Sequence, residues 1–152
     1  MHSKVLSFAV LAAMAQSFLM SQEPKYSCSP DIGAGYHVVS CTGWVTPGPN
    51  APLVPFSLLG TVSGDRNGDY KGTSTISLGG TILQSSVIGK AKTNRDCTGT
   101  VTYAVKTTGA PDSTLNINFV VHNEGRRTTG MSTDRGSVLI CELNRISQSI
   151  PD

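Results

Sequence analysis

The sequence predicts an all-β domain, an antiparallel meander that closes into a small barrel of about eight strands. Glycine is abundant, with 16 of 152 residues, and only 14% of residues are charged, so long surface helices are not favoured. Short runs of alternating apolar and polar residues recur along the chain, separated by Gly, Pro, Asn and Asp. This length suits one domain better than two.

Eight runs have the length and the residue types of β-strands. In chain order they are Tyr36 to Val45, Phe56 to Ser63, Tyr70 to Leu78, Thr81 to Lys92, Thr100 to Lys106, Thr114 to His122, Arg127 to Ser132 and Ser137 to Ile146. The fifth and sixth runs alternate most cleanly, because every second residue from Val101 and from Leu115 is apolar. Each of these strands is therefore expected to have one buried face.

The connections between the runs are mostly of hairpin length, which indicates a meander. Asn67-Gly68 is the strongest turn signal, since both residues tolerate positive φ, and Gly79-Gly80 predicts a second tight turn. Residues 46–55 hold four prolines, which cannot donate to a central ladder, so they predict a long loop or an edge cover. A closed barrel would bury the apolar face and remove exposed edges. A two-sheet β-sandwich is the alternative.

The N-terminus has the three parts of a secretory signal. A weak basic start with Lys4 precedes an uncharged apolar run from Val5 to Ala15, and small residues follow. We therefore expect a signal peptide over residues 1–21, cleaved after Ala15 or after Ser21, and a single barrel domain over residues 22–152. The apolar core is too short to span a bilayer, and no other stretch predicts a membrane span.

Four cysteines follow this signal, and an even number in a small exported domain predicts disulfides. Cys28, Cys41, Cys97 and Cys141 allow three pairings. We expect Cys28–Cys41, which would tether the N-terminal arm, and Cys97–Cys141, which would join a turn to the last strand. Their spacing does not fit a metal site.

Several segments resemble the secreted allene-oxide-cyclase-like and dirigent-like barrels. They are GTVSGDRNGDYKGT from Gly60 to Thr73, DCTGTVTY from Asp96 to Tyr103, Phe119-Val120-Val121 with Gly125-Arg126, and CELNRI from Cys141 to Ile146. The likeness runs from about Gly60 to Ile146 and consists mainly of turn glycines and strand alternation. Within that fold class, the size, signal and four cysteines look like small fungal barrel pericyclases, which include hetero-Diels–Alderases.

This resemblance implies a cofactor-independent cyclase that joins a polyketide quinone methide to a terpene alkene and sets the stereochemistry of the product. Such a reaction needs orientation and desolvation more than proton transfer, so it requires no catalytic triad. A non-catalytic, secreted carrier of a small hydrophobic ligand is the alternative, and a barrel filled by its own side chains is a third. Related barrels often associate, so a homodimer is also expected.

Candidate site residues follow from strand position and side-chain chemistry. Tyr103, Gln84 and Asn118 are expected to donate hydrogen bonds to a carbonyl inside a cavity, although strand alternation also allows the amides to face water. The expected substrate-binding residues are Trp44, Phe56, Tyr70, Phe119, His122 and Glu142. The aromatic members could instead fill the core, and Glu142 could lie outside.

Other classes of function have little support in the residues. The part after the signal has only His37 and His122, and no Gly-x-Ser-x-Gly elbow, so nucleophilic catalysis is not expected. A net charge of +2, with Arg126-Arg127 as the densest basic pair, does not indicate nucleic-acid binding. No cofactor motif occurs.

Overall fold

Eight antiparallel strands form one closed barrel in the computed structural model, which describes residues 27–48 and 50–149. The strands are β1 (Gly35–Val45), β2 (Val54–Gly64), β3 (Asp69–Leu78), β4 (Thr81–Thr93), β5 (Thr98–Thr107), β6 (Ser113–His122), β7 (Arg127–Ser132) and β8 (Ser137–Ser147). The expected signal peptide and its cleavage positions lie outside the described residues.

The topology is the meander that the sequence predicts. Each strand pairs with the next, and β8 pairs with β1 to close the ring. The barrel is therefore confirmed over the sandwich. The expected proline-rich loop follows β1 but is shorter than expected, because Pro55 lies in β2, where it is paired with Trp44. A single 3₁₀ turn, Asn123–Gly125, joins β6 to β7 in the part of the chain described here.

The inward face of the barrel is apolar along most of its length. Its central buried cluster consists of Cys41, Val101, Tyr103, Ile117, Leu139 and Cys141. These residues alternate with outward residues along their strands, as period-two side-chain placement requires. Burial of this cluster stabilises the closed ring, together with the β1–β8 ladder.

Three inward aromatic rings each lie opposite a glycine on the neighbouring strand. The pairs are Gly64 with Tyr70, Gly89 with Tyr103, and Gly99 with Phe119. A Cβ at any of these glycines would come within 2.6 Å of the ring. The glycines therefore provide the space into which the rings fold, so that a narrow barrel accommodates large side chains.

The disulfide pairing expected from the sequence is wrong. The bonds are Cys28–Cys97 and Cys41–Cys141. Cys41 and Cys141 are direct neighbours on β1 and β8, with their Cα atoms 4.0 Å apart, and both point inward. Cys28 is instead held at the β4–β5 turn, at one end of the barrel, whereas Cys41 lies in the middle of β1 beside its partner on β8.

Both disulfides are consistent with an oxidising environment such as the secretory pathway. None of the helical segments in residues 27–48 and 50–149 has the length and apolar character needed to cross a membrane.

Candidate functional site

Residues 28–34, here called the strap, cross one end of the barrel before β1 begins. The Cys28–Cys97 disulfide and a hydrogen bond from the Cys28 amide to the Arg95 carbonyl, at 3.1 Å, fix the strap to the β4–β5 turn. Within the strap, the amides of Ile32 and Ala34 donate to the carbonyls of Ser29 and Asp31, which makes a compact turn.

Two side chains from the barrel hold the middle of the strap. The Tyr70 hydroxyl donates to the Gly33 carbonyl at 2.8 Å, and Arg145 Nη1 donates to the Ile32 carbonyl at 3.1 Å. The same guanidinium donates through Nη2 to the Glu124 carbonyl, also at 3.1 Å. Arg145 therefore ties the strap to the β6–β7 turn, and the strap closes the end of the barrel.

Aromatic side chains lie in series beneath the strap. The His37 and Tyr70 ring centroids are 6.3 Å apart, and the Tyr70 and Tyr103 rings meet edge to face at 6.4 Å. Phe119 and Leu143 line the same space from β6 and β8. The end of the barrel is thus an apolar, aromatic-walled chamber with a few polar atoms.

His37 has a buried nitrogen that lacks a partner. It is 2% exposed, and its Nδ1 makes no hydrogen bond within the described residues. The other buried polar side chains of that part of the chain are satisfied: Ser74 and Ser85 bond each other at 2.7 Å, and the Ser132 hydroxyl accepts from the Leu139 amide at 3.0 Å. A buried polar atom without a partner costs stability, so His37 is the exception that needs an explanation.

Burial also controls protonation in the chamber. It lowers the pKa of His37 to about 4, the positive charge of Arg145 acts in the same direction, and a backbone interaction with Gly35 acts more weakly in the opposite direction. Burial raises the pKa of Tyr70 to about 12 and raises the pKa of Tyr103 further still. The imidazole and both phenols are therefore neutral at physiological pH, and the chamber presents hydrogen-bonding groups without charge.

The chamber is small in this closed state. The volume open to the centre of a water-sized sphere is about 30 Å³, which is enough for roughly two water molecules. Sites for drug-sized ligands are typically about 300–1,000 Å³. A ligand of even one aromatic ring must therefore displace the strap or the side chains beneath it.

The structure brings together part of the predicted site. Tyr70, Tyr103 and Phe119 all line the chamber. Phe56 is also half-buried against the core, but it lies near the start of β2, at the other end of the barrel. The interpretation that these aromatic residues fill the interior is consistent with this packing.

The remaining predicted residues are on the outer surface. Gln84 is exposed and hydrogen-bonds Thr75, and Asn118 is exposed on β6. Both lie on strand positions that alternate with inward residues, so neither projects into the chamber as expected. For β4 the sequence is ambiguous, because it places isoleucines on the outward face beside Gln84.

Trp44, His122 and Glu142 also point away from the interior. Trp44 is 51% exposed, His122 is exposed beside an open groove near the Cys28–Cys97 disulfide, and Glu142 forms an ion pair with Arg127. The alternative given for Glu142, an outward carboxylate, is the one observed.

Sequence reasoning missed the importance of His37 and Arg145. The alternation of β1 places His37 on the same face as Cys41, which was the available signal that it points inward. Nothing in the sequence near Arg145 indicates that it reaches the strap, since its hydrogen bond to Ile32 joins positions 113 residues apart. No cluster of three His, Cys, Asp or Glu side chains suited to a metal ion occurs within the described ranges.

Comparison of the chain with protein-family models, with curated proteins and with solved structures finds no match.

Proposed function

We propose that the protein is a non-catalytic binding protein that holds one small, uncharged molecule in the chamber beneath the strap. The observation that carries this proposal is the buried Nδ1 of His37, which has no hydrogen-bond partner within the described residues and belongs to a side chain that lines an otherwise apolar and aromatic chamber. Ligand sites commonly combine such walls with a few polar atoms that fix orientation.

The chemistry of the chamber selects an uncharged ligand. His37 and both tyrosines are neutral, and Arg145, whose charge reaches His37 and Tyr70, lies outside the chamber lining and already donates to two carbonyls. A charged ligand would therefore lose its hydration for little electrostatic gain. A neutral imidazole presents either a lone pair or an N–H at Nδ1, depending on its tautomer. A hydroxyl group both donates and accepts, so an aromatic or aliphatic alcohol matches either tautomer.

Entry of such a molecule requires the strap to move. Besides the disulfide and the Cys28 amide, the contacts described above give the strap two side-chain hydrogen bonds to the barrel, from Tyr70 and Arg145. Segments held by few contacts open at low free-energy cost compared with the strands of a barrel. The strap can therefore move away from this end of the barrel while the strands stay paired.

A site that only binds one molecule needs less space than the cyclase activity that the resemblance implies. A cycloaddition must hold two reactants side by side, and about 30 Å³ of closed space accommodates neither. Gln84 and Asn118, two of the three expected donors, are outside the chamber. Cyclase activity therefore stays a prediction. It is tested by incubating the protein with a quinone-methide precursor and humulene and measuring the rate of cycloaddition and the chirality of the product.

The same small volume favours a second candidate, a barrel whose interior is filled and whose ends hold no guest. One titration separates the two. p-Cresol and toluene have nearly the same shape, but only p-cresol has a hydroxyl for His37. Isothermal titration should show p-cresol binding about three- to tenfold more tightly than toluene, the value of one hydrogen bond.

The matched variants are His37→Leu, which removes the buried nitrogen, and His122→Leu, which changes the exposed histidine. His37→Leu should abolish the preference for p-cresol, and His122→Leu should keep it. Thermal unfolding of each variant checks that the barrel is intact. Failure of both compounds to bind, or an equal preference in His37→Leu and the wild type, would reject the proposal in favour of the filled barrel.

A further inference from the structure

The outer surface of the barrel is divided by charge. The outward side chains of β1 and β2 include no charged residue, and those of β6, β7 and β8 include only Arg127 and Glu142, which pair with each other. On the opposite side, β3, β4 and β5 carry Asp69, Lys71, Lys90, Lys92 and Lys106. One half of the barrel is therefore nearly uncharged, and the other half is cationic.

The uncharged half also holds a contiguous group of exposed apolar side chains. Trp44 lies directly opposite Val138 in the β1–β8 ladder, and Met131 lies directly opposite Ile140 in the β7–β8 ladder. Val138 and Ile140 are two residues apart on the same face of β8. These four residues, here called the apolar wall, are each about half exposed or more.

Exposed apolar residues on the cationic half are arranged differently. Ile88 is 61% exposed, the same as Val138, but it lies opposite Lys71 and two residues from Lys90. Single exposed apolar residues among charges are ordinary on protein surfaces. A contiguous group with a Trp and a Met, and without charge, has the composition of an interface core.

We propose that the apolar wall is the contact surface of a homodimer, in which two copies meet wall to wall about a two-fold axis. The distribution of charge favours a second copy of the chain as the partner at the apolar wall. A two-fold interface joins the same surface of both subunits, and the outward strand side chains of this half bring no unpaired charge against themselves. Pairing through β3–β5 would instead set Lys71, Lys92 and Lys106 against their own copies, which costs free energy, since Asp69 pairs only with Lys90.

Trp44 makes the proposal directly measurable, because it is the only tryptophan in the chain. If two copies bury the wall, the fluorescence of Trp44 should shift to longer wavelength as the protein is diluted and the dimer dissociates. Sedimentation velocity over the same concentrations should show the change from dimer to monomer at the same midpoint.

A matched pair of variants tests the location of the interface. Ile140→Lys puts a charge in the apolar wall, and Ile88→Lys puts the same charge at a similarly exposed isoleucine on the other half. Ile140→Lys should weaken dimerisation at least about tenfold, the loss typical of a central interface residue. Ile88→Lys should leave it unchanged, and circular dichroism of both should match the wild type.

Three results would overturn the proposal. The first is a wild-type protein that is monomeric at every concentration. The second is an equal effect of the two lysine variants on association. The third is a monomer whose Trp44 emission changes only on addition of phosphatidylcholine vesicles, which would assign the wall to a lipid surface. None of these results depends on the chamber beneath the strap, so the two proposals fail separately.

Discussion

Gly89 lies directly opposite Tyr103, and a Cβ on Gly89 would stand 2.4 Å from Cδ1 of the tyrosine ring. The ring is 8% exposed and belongs to the central buried cluster, so it cannot swing into solvent to make room. The same ring lines the chamber and packs edge to face against Tyr70. A backbone position on β4 thus determines where an aromatic residue of the candidate site lies.

Gly89→Ala should lower the free energy of unfolding by about 1–3 kcal/mol, because the added methyl group overpacks a rigid core. Gly48→Ala is the control, since a Cβ at that position meets nothing within 4 Å. Its effect should be within about 0.5 kcal/mol. Urea unfolding followed by circular dichroism measures both. Equal stabilities of the two variants would show that Tyr103 shifts freely.

Removing the two disulfides should have unequal effects. Both close long loops, of 69 and 100 residues by sequence separation, so the chain-entropy contribution is about 4–5 kcal/mol for each. Cys41 and Cys141 both belong to the central buried cluster, where replacement by alanine leaves a cavity, whereas in the other pair only Cys28 is buried and it lies outside that cluster. The double variant Cys41→Ala/Cys141→Ala should therefore be less stable than Cys28→Ser/Cys97→Ser, measured by the urea midpoint.

Stability should depend on pH through His37. The pKa is about 4 in the folded protein and near 6.5 in the unfolded chain, so between these values the unfolded state binds more protons. The contribution of His37 is at its maximum above pH 6.5, falls as the pH drops towards 4, and then levels off. The total loss is up to about 3 kcal/mol.

His37→Leu should flatten the unfolding free energy between pH 6.5 and 4, and His122→Leu should not. Hydrogen bonds lower the carboxyl pKa values of Asp31, Asp65 and Asp96, so their contributions are lost mainly below about pH 4. The part lost between about pH 5 and 4 is common to all the variants. An unchanged slope in His37→Leu would mean that the imidazole is solvated in the native state.

Tyr70→Phe should loosen the strap without unfolding the barrel. It deletes the hydrogen bond to the Gly33 carbonyl, which is worth about 1 kcal/mol, and keeps the buried ring. Amide hydrogen exchange within residues 28–34 should quicken about fivefold, while exchange in β5 and β6 stays as in the wild type. Tyr36→Phe, an outward position on β1, is the control and should leave the strap unchanged.

The barrel could be predicted because its signals are local. Alternation and turn residues determined all eight strands, and the hairpin lengths implied the order of neighbours. The disulfides could not be derived in the same way, because the pairing of Cys41 with Cys141 depends on contact between the first and last strands. That contact forms only when the sheet closes.

The candidate site was predicted in part for a related reason. Tyr103 and Phe119 lie on strands with one clearly apolar face, so their inward direction follows from the pattern. Gln84 lies on a strand with apolar residues on both faces, where alternation does not identify the inside. The strap contacts of Arg145 join distant segments, and no pattern within one strand encodes them.

The two native cross-links interleave along the chain, since Cys41 comes before Cys97 and Cys97 before Cys141. During synthesis, Cys28 and Cys41 both emerge before either native partner has been made. Rapid oxidation would therefore join these two thiols first, in a bond that the finished barrel cannot contain. Good yields of native protein should depend on a catalyst that reshuffles disulfides, and not on an oxidant alone.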